Sequence, residues 1–274
     1  QVRGDSSTTS DSIRTRNALV LRKAQPMDLN ADVGEGCGHD DAIIPLVTRC
    51  NIACGGHAGD EASMRRALRL AKAAGVLAGA HPSYPDRAHF GRRPMTMAPE
   101  ELQKTLETQL RTLVRFADEE GLSLSHVKPH GALYHAAAKG EAVAQTVVDA
   151  TMTTIGAVAV IGPPSSVLGT VAERCGLPFL VEGFVDRAYD HDGQLRDRAH
   201  PDAILPTDGM RVEQALTLAQ GGYVKALGGE IVHLTVQTLC LHGDTPGAVQ
   251  SAQHVRNHLI ERGVYVGAPV LGKG

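Results

Sequence analysis

The chain has 274 residues, 42% of them hydrophobic and 21% charged, with a formal net charge of −3. That length can bury the core of one large domain, and a near-neutral charge without basic blocks argues against a nucleic-acid or membrane partner. No apolar stretch reaches the roughly 18 residues of a spanning helix, the 3% aromatic content with no Trp excludes a base-stacking platform, and five cysteines (37, 50, 54, 175, 240) without a paired framework fit free thiols in a reducing cytoplasm.

Residues 1–26 are polar, Ser/Thr-rich and without helical or strand period. They lack the apolar segment of a secretory signal, and Asp5 and Asp11 count against a transit peptide. They are expected to form a disordered or non-native extension, with Met27 opening a single domain over 27–274. From there short apolar runs alternate with amphipathic stretches. MDLNAD reads as a strand, followed by a helix near 40–49. NIAC is the next strand, and EASMRRALRLAKAAG a helix with Met64, Ala67, Leu68 and Ala71 on one face. VLAGAH is a buried strand. The loop after it, 81–96, is too long and too rich in Pro, Gly and charge for a passive connection, and reads as a lid or binding loop.

A long amphipathic helix spans 98–121, with Pro99 in its first turn and Gly121 as its stop. LSHVKPH follows as a strand, then a helix near 139–153, the strand AVAVIG, a helix over 165–175 and the strand PFLVEG. A second long loop covers 184–203. RVEQALTLAQ reads as helix, YVKALGGEIVHLT as a hairpin around Gly228-Gly229, QTLCLHGD as the seventh core strand and 245–263 as the last helix. Strand–helix units in series imply a parallel sheet with right-handed crossovers. Seven or eight of them predict a closed α/β barrel, with an open doubly wound sheet as the other arrangement.

Polar groups recur where apolar runs end, which is the rim on which such barrels build active sites. Asp28, Asn30 and Asp32 alternate along a strand and share one side, with Glu35 in the glycine-rich turn beyond. His57 follows Gly55-Gly56, and Asp60 is either a ligand partner or the N-cap of the next helix. His81 ends its strand. Lys128 and His130 lie two apart on another, and a buried ammonium there requires an anionic partner. Glu182 directly ends an apolar run, ahead of Asp186 and Arg187. His242 and Asp244 close the last strand. Asp32, His57 and His81 could also hold a divalent metal in an O/N site. The C-terminal GAPVLGKG falls short of a phosphate-binding loop, lacking the final Ser/Thr.

Taken together, DLNADVGEG (28–36), NIACGGHAGD (51–60), GAHPSYPD (79–86) with Arg92 and Arg93, VKPHGALY (127–134), E-x-x-x-D-R-x-Y (182–189) and LHGDTPGA (241–248) resemble the LamB/YcsF family over roughly 27–268. The glycine-rich turn at 34–38 is shorter than the family pattern. The resemblance implies a seven-stranded (β/α) barrel of the glycoside hydrolase/deacetylase type. It also implies ATP-dependent hydrolysis of 5-oxoproline to L-glutamate, with ATP and magnesium, as the A subunit of a 5-oxoprolinase with partner subunits B and C. On that reading Asp32, His57, His81, Lys128, His130 and Glu182 are the catalytic candidates. Asn30, Glu35, Asp60, Arg92, Arg93, Tyr134, Asp186, Arg187, His242 and Asp244 are the candidates for binding substrate or ATP. Two other functions fit the same residues: a metal-dependent deacetylase or amidohydrolase acting on a small amide or carbohydrate, and a non-catalytic subunit that holds the lactam for a partner.

Overall fold

Alternation along β1 (Asp28–Val33) sets the architecture. Leu29, Ala31 and Val33 enter the main hydrophobic core, while Asp28, Asn30 and Asp32 turn the other way, into the interior of a closed barrel. The computed structural model describes residues 25–243 and 247–270. Residues 1–24, and with them the reading of the N-terminal extension, lie outside the described residues, as do Asp244 and the final 271–274.

The barrel runs in the order β1, β2 (Arg49–Ala53), β3 (Leu77–His81), β4 (His126–Val127), β5 (Ala159–Gly162), β6 (Phe179–Phe184) and β9 (Thr238–Leu241), and β9 closes back on β1. Every neighbouring pair is parallel, with Asn30 in register with Arg49 and with Cys240. All seven carboxyl ends therefore emerge on one rim. The antiparallel hairpin β7 (Tyr223–Lys225) and β8 (Ile231–His233) stands outside the barrel, between β6 and β9 in the chain. This is the closed seven-strand arrangement expected from the sequence, not the open sheet.

The helices are α1 (Asp40–Ile43), α2 (Glu61–Ala74), α3 (Pro99–Glu119), α4 (Gly131–Lys139), α5 (Glu141–Thr154), α6 (Val167–Arg174), α7 (Asp208–Leu216) and α8 (Ala248–Glu261). None among the described residues is long and apolar enough to cross a membrane. Two expectations needed correction. The helix near 40–49 is one turn followed by a 3-10 turn over Ile44–Leu46, after which Val47 is extended and the chain enters β2. Pro45, which has no N–H to donate, stands in that tight turn. The helix near 139–153 is two helices, α4 and α5, separated by Gly140 in an extended conformation. The additional helix, α4, begins directly after His130.

Outside the barrel, strand residues such as Ile52, Ala80, Val127, Val160 and Leu239 pack against the helices in one core. Inside it, Ala159, Ile161 and Leu180 form a separate small apolar cluster on the β5–β6 side. Much of the remaining interior is polar, with Cys240 and Phe184 among its groups.

Candidate active site

The polar interior is built in layers. At the bottom, Arg49 Nε donates to Asp28 Oδ2 at 3.0 Å, and the Thr238 hydroxyl donates to the same oxygen at 2.6 Å. One layer up, Asn30 Nδ2 donates to Thr238 Oγ1 (2.8 Å) and Glu182 Oε1 (3.0 Å). Asn51 Nδ2 in turn donates to Asn30 Oδ1 (2.7 Å) and Asp32 Oδ1 (2.8 Å). His126 Nε2 supports Asn51 Oδ1 at 2.8 Å. Gly79 makes room for it, since a Cβ there would overlap the His126 ring. The chain places these amides and hydroxyls at i, i+2 spacing on adjacent in-register strands, so each buried polar group meets another.

Lys128 sits at the centre of the next layer. Its ammonium lies 2.8 Å from Glu182 Oε1 and 3.0 Å from Asp32 Oδ1. Burial works against its charge, but Asp32, Cys240 and Glu182 hold its pKa well above the ordinary lysine value. Burial likewise opposes ionisation of Asp32, and the charges of His81 and Lys128 overcome it, keeping that carboxyl well below the usual range. Among the described residues, Glu182 Oε2 and the Tyr134 hydroxyl are both buried without a hydrogen-bond partner. Burial and the neighbouring Glu182 charge hold the Tyr134 phenol protonated far above its normal range.

Above this layer opens a cavity of about 560 Å³ whose inner wall includes Asp32, Glu35, His81, Lys128, His130 and His242. His57, His81 and His130 are packed together: His57 stacks on His130 with centroids 3.6 Å apart, and His81 meets both edge-on. The loop over 81–96 closes on them. The Phe90 ring packs edge-on to His57 and His130, and the Phe90 carbonyl accepts from His130 Nε2 at 2.9 Å. Gly91, at φ +63°, fits where a Cβ would come within 2.9 Å of His57 Cβ. Burial, with the His81 charge, pushes His57 down to about 2. Its contact with Glu35 Oε1 at 2.9 Å is therefore a hydrogen bond from a neutral ring. His130 is driven well below the ordinary histidine value by burial and by His81. His81 is raised, because Asp32 outweighs the burial that opposes its charge. Glu35 is raised by burial and by Asp32.

Opposite the imidazoles, His242 Nδ1 is 2.9 and 2.8 Å from the two oxygens of Asp186. That carboxylate is buried, which opposes its charge, and His242 more than compensates, so its pKa is lowered. The pairing fixes a proton on Nδ1 and leaves Nε2 facing the cavity, 4.0 Å from Asp32 Oδ2. The outer wall is cationic, with Arg92, Lys139, Arg187, Arg196 and Arg198, and it is formed partly by the long loop over 184–203. Arg187 Nη2 also donates to the Arg196 carbonyl at 2.6 Å, tying that loop together.

Of the residues singled out from the sequence, Asn30, Asp32, Glu35, His57, His81, Lys128, His130, Tyr134, Glu182, Asp186, Arg187 and His242 gather in or directly behind this cavity, and Arg92 joins its wall. Arg93 is exposed and does not line it. Asp60 is the N-cap of α2, in a reciprocal capping box with Ser63 at the surface, away from the cavity. Asp244 lies outside the described residues. The set Asp32, His57 and His81 is divided: His57 and His81 group with Glu35 and His130, while Asp32 groups with Cys240 and His242. Asn51, His126 and Thr238 were missed. Their signal was a single polar residue breaking a strand, which a sequence offers in many places.

Comparison with known proteins agrees with this picture in scope. The model of the LamB/YcsF family matches residues 27–271. The 5-oxoprolinase A subunit of Chloroflexus aurantiacus is 43% identical over 89% of this chain and 98% of its own length. Its namesake from Pyrococcus furiosus is 40% identical over 88% of this chain and 96% of its own. The crystal structure of the lactam utilization protein from Thermus thermophilus superposes with a TM-score of 0.82 at 40% identity, covering 89% of this chain and 99% of that one.

Proposed function

We propose a function from a plain premise: the chain belongs to the LamB/YcsF family. On our reading it opens the lactam ring of 5-oxoproline to L-glutamate, as the A subunit of an ATP-consuming assembly with subunits B and C in the cytoplasm. The substrate follows from the names of relatives 43% and 40% identical over nearly their whole length. The observation that carries the chemistry is the Asp186–His242 pair aimed across the cavity at Asp32.

A lactam is a stable amide, and hydrolysis must place a nucleophilic water on its carbonyl carbon, stabilise the oxygen that gains charge and return a proton to the ring nitrogen. His242, with its proton fixed on Nδ1 by Asp186, offers a bare Nε2 as the base for that water. Asp32 Oδ2 faces the same space, since its other oxygen is occupied by Lys128 and Asn51. The carbonyl oxygen would face the positive charge held between His81 and His130. After attack, the C–N bond breaks and the nitrogen takes the proton that His242 gained. Lys128 keeps Asp32 ionised and holds both Asp32 and Glu182 in place.

ATP would activate the amide beforehand: its terminal phosphoryl group would pass to the lactam oxygen with loss of ADP, C–N cleavage would then leave an acyl phosphate, and a second water would release inorganic phosphate as the carboxylate forms. The cavity is large for so small a lactam, and the guanidiniums of Arg92, Arg187 and Arg198 on its outer wall are of the kind that bind phosphate or carboxylate oxygens. Glutamate and phosphate release from 5-oxoproline and ATP, assayed with the chain alone and with subunits B and C, tests this. Glutamate is expected from the assembly, and its absence in both conditions would remove the reading.

A further inference from the structure

We infer that Glu35, His81 and His130 form a binding site for one divalent cation of the zinc class, with His57 supporting it from behind. The inference rests on ring tautomers and distances and does not depend on the lactam reading.

His81 Nδ1 lies 2.7 Å from the Lys128 carbonyl, and His130 Nε2 lies 2.9 Å from the Phe90 carbonyl. A carbonyl oxygen only accepts, so each of these nitrogens carries its ring's proton. In the neutral rings the remaining nitrogens, His81 Nε2 and His130 Nδ1, are bare. They nevertheless point at each other across 3.0 Å. Two lone pairs held that close repel unless a positive charge sits between them, either a proton on His81 Nε2, which Asp32 Oδ2 faces at 3.3 Å, or a metal ion that takes the proton's place. Rings anchored by backbone carbonyls on their far nitrogens are also the usual outer arrangement of metal-bound histidines.

Glu35 makes the third corner. Its Oε1 is 3.5 Å from His130 Nδ1 and 3.9 Å from His81 Nε2. Three atoms with these separations lie on a circle of about 2.0 Å radius, the length of a zinc–imidazole bond. A cation slightly out of their plane, toward the cavity, would reach all three at bonding distance and keep a position open for water or substrate. Two histidines and one glutamate with an open fourth position are a donor set suited to zinc and its neighbours. All three ligands line the cavity, whereas His57 does not. His57 instead donates from Nε2 to Glu35 Oε1 at 2.9 Å and stacks on His130, which fixes both ligands in place.

The test uses the full chain without a polyhistidine tag, stripped with a chelator and titrated with zinc and then with cobalt(II) as a spectroscopic probe, no lactam or ATP being present. One equivalent of metal per chain is expected, with the visible absorption of four- or five-coordinate cobalt. Glu35→Gln and His130→Ala should abolish stoichiometric binding. His57→Gln should weaken it about 10- to 100-fold while keeping the stoichiometry. His254→Ala, on the surface near Asp208, should leave it unchanged. Glu35→Gln is isosteric and removes a buried charge, so it decides the matter if His130→Ala fails to fold. Absence of stoichiometric metal in the wild-type chain, or unchanged binding in Glu35→Gln, would overturn the inference. An assembly that releases glutamate while the stripped chain binds no metal would leave the lactam reading standing and remove only this site.

Discussion

Lys128 Nζ and Glu182 Oε1 meet at 2.8 Å inside the barrel, with side chains 3% and 0% exposed. The same ammonium also holds Asp32, so one lysine neutralises two buried carboxylates. Replacing it with methionine would leave Glu182 without its counter-charge and Asp32 with His81 alone. Lys128→Met should lose about 3–5 kcal/mol of stability in urea denaturation. Lys128→Met combined with Glu182→Gln should lose less than the single variant. A single variant as stable as wild type would show that the pair contributes nothing.

The Asp186–His242 pair should matter for rate more than for binding. Asp186→Asn can donate to His242 Nδ1 and so allows the wrong tautomer. We expect kcat for glutamate release by the assembly to fall roughly 100- to 10,000-fold with little change in KM for 5-oxoproline. A variant that keeps its kcat and raises only KM would make His242 a binding group.

The same carboxylate gives a stability signature. Its pKa is lowered in the folded protein, so its contribution is fully present above the ordinary value near 3.9 and is lost as pH falls through the depressed one. The difference in unfolding free energy between wild type and Asp186→Asn should be flat from pH 5 to 7 and shrink below about pH 4. A difference that instead grows on acidification would contradict the assignment.

Gly79 faces the His126 ring with no room for a side chain. Gly79→Ala should therefore displace His126 and cost about 1–3 kcal/mol, measured by thermal or chemical unfolding. Because His126 supports Asn51, and Asn51 holds Asp32, turnover should fall with it. Full activity in a destabilised variant would limit Gly79 to packing.

Burial pushes the thiols of Cys50 and Cys54 up to about 12, and that of Cys240 well above its ordinary value despite Lys128. Only Cys37 and Cys175 are partly exposed. Thiol titration of the native chain at pH 8 should modify Cys37 and Cys175 and spare the other three until denaturant is added, with the sites read by peptide mass.

Much of this site can be read in the chain because period-2 alternation is visible in letters. Asp28, Asn30 and Asp32 alternate with Leu29, Ala31 and Val33, and His81 directly ends an apolar strand. The barrel's closure is legible from the number of strand–helix units. What the letters do not carry is contact across the interior. Asn51 and His126 are 75 positions apart and form one hydrogen bond, and neither looks unusual alone. The helix α4 escaped notice because it is short and begins at a glycine immediately after His130. The triple Asp32, His57 and His81 shares strand ends in the sequence, but the letters do not show that Glu35, reaching in from a turn, lies with His57, His81 and His130, while Asp32 lies with Cys240 and His242 and also reaches within 3.3 Å of His81.

The barrel is closed by its last strand, and β9 carries Thr238 and ends just before His242. Asp28 and Asn30 find their hydroxyl partner on a residue more than 200 positions later. During synthesis, β1 and β6 must therefore wait with open edges, and Asp28 and Asn30 without that partner, until β9 has left the ribosome. A nascent chain arrested before Thr238 should be a client for chaperones and a target for proteases, and no amino-terminal fragment of this protein should assemble the chemistry on its own.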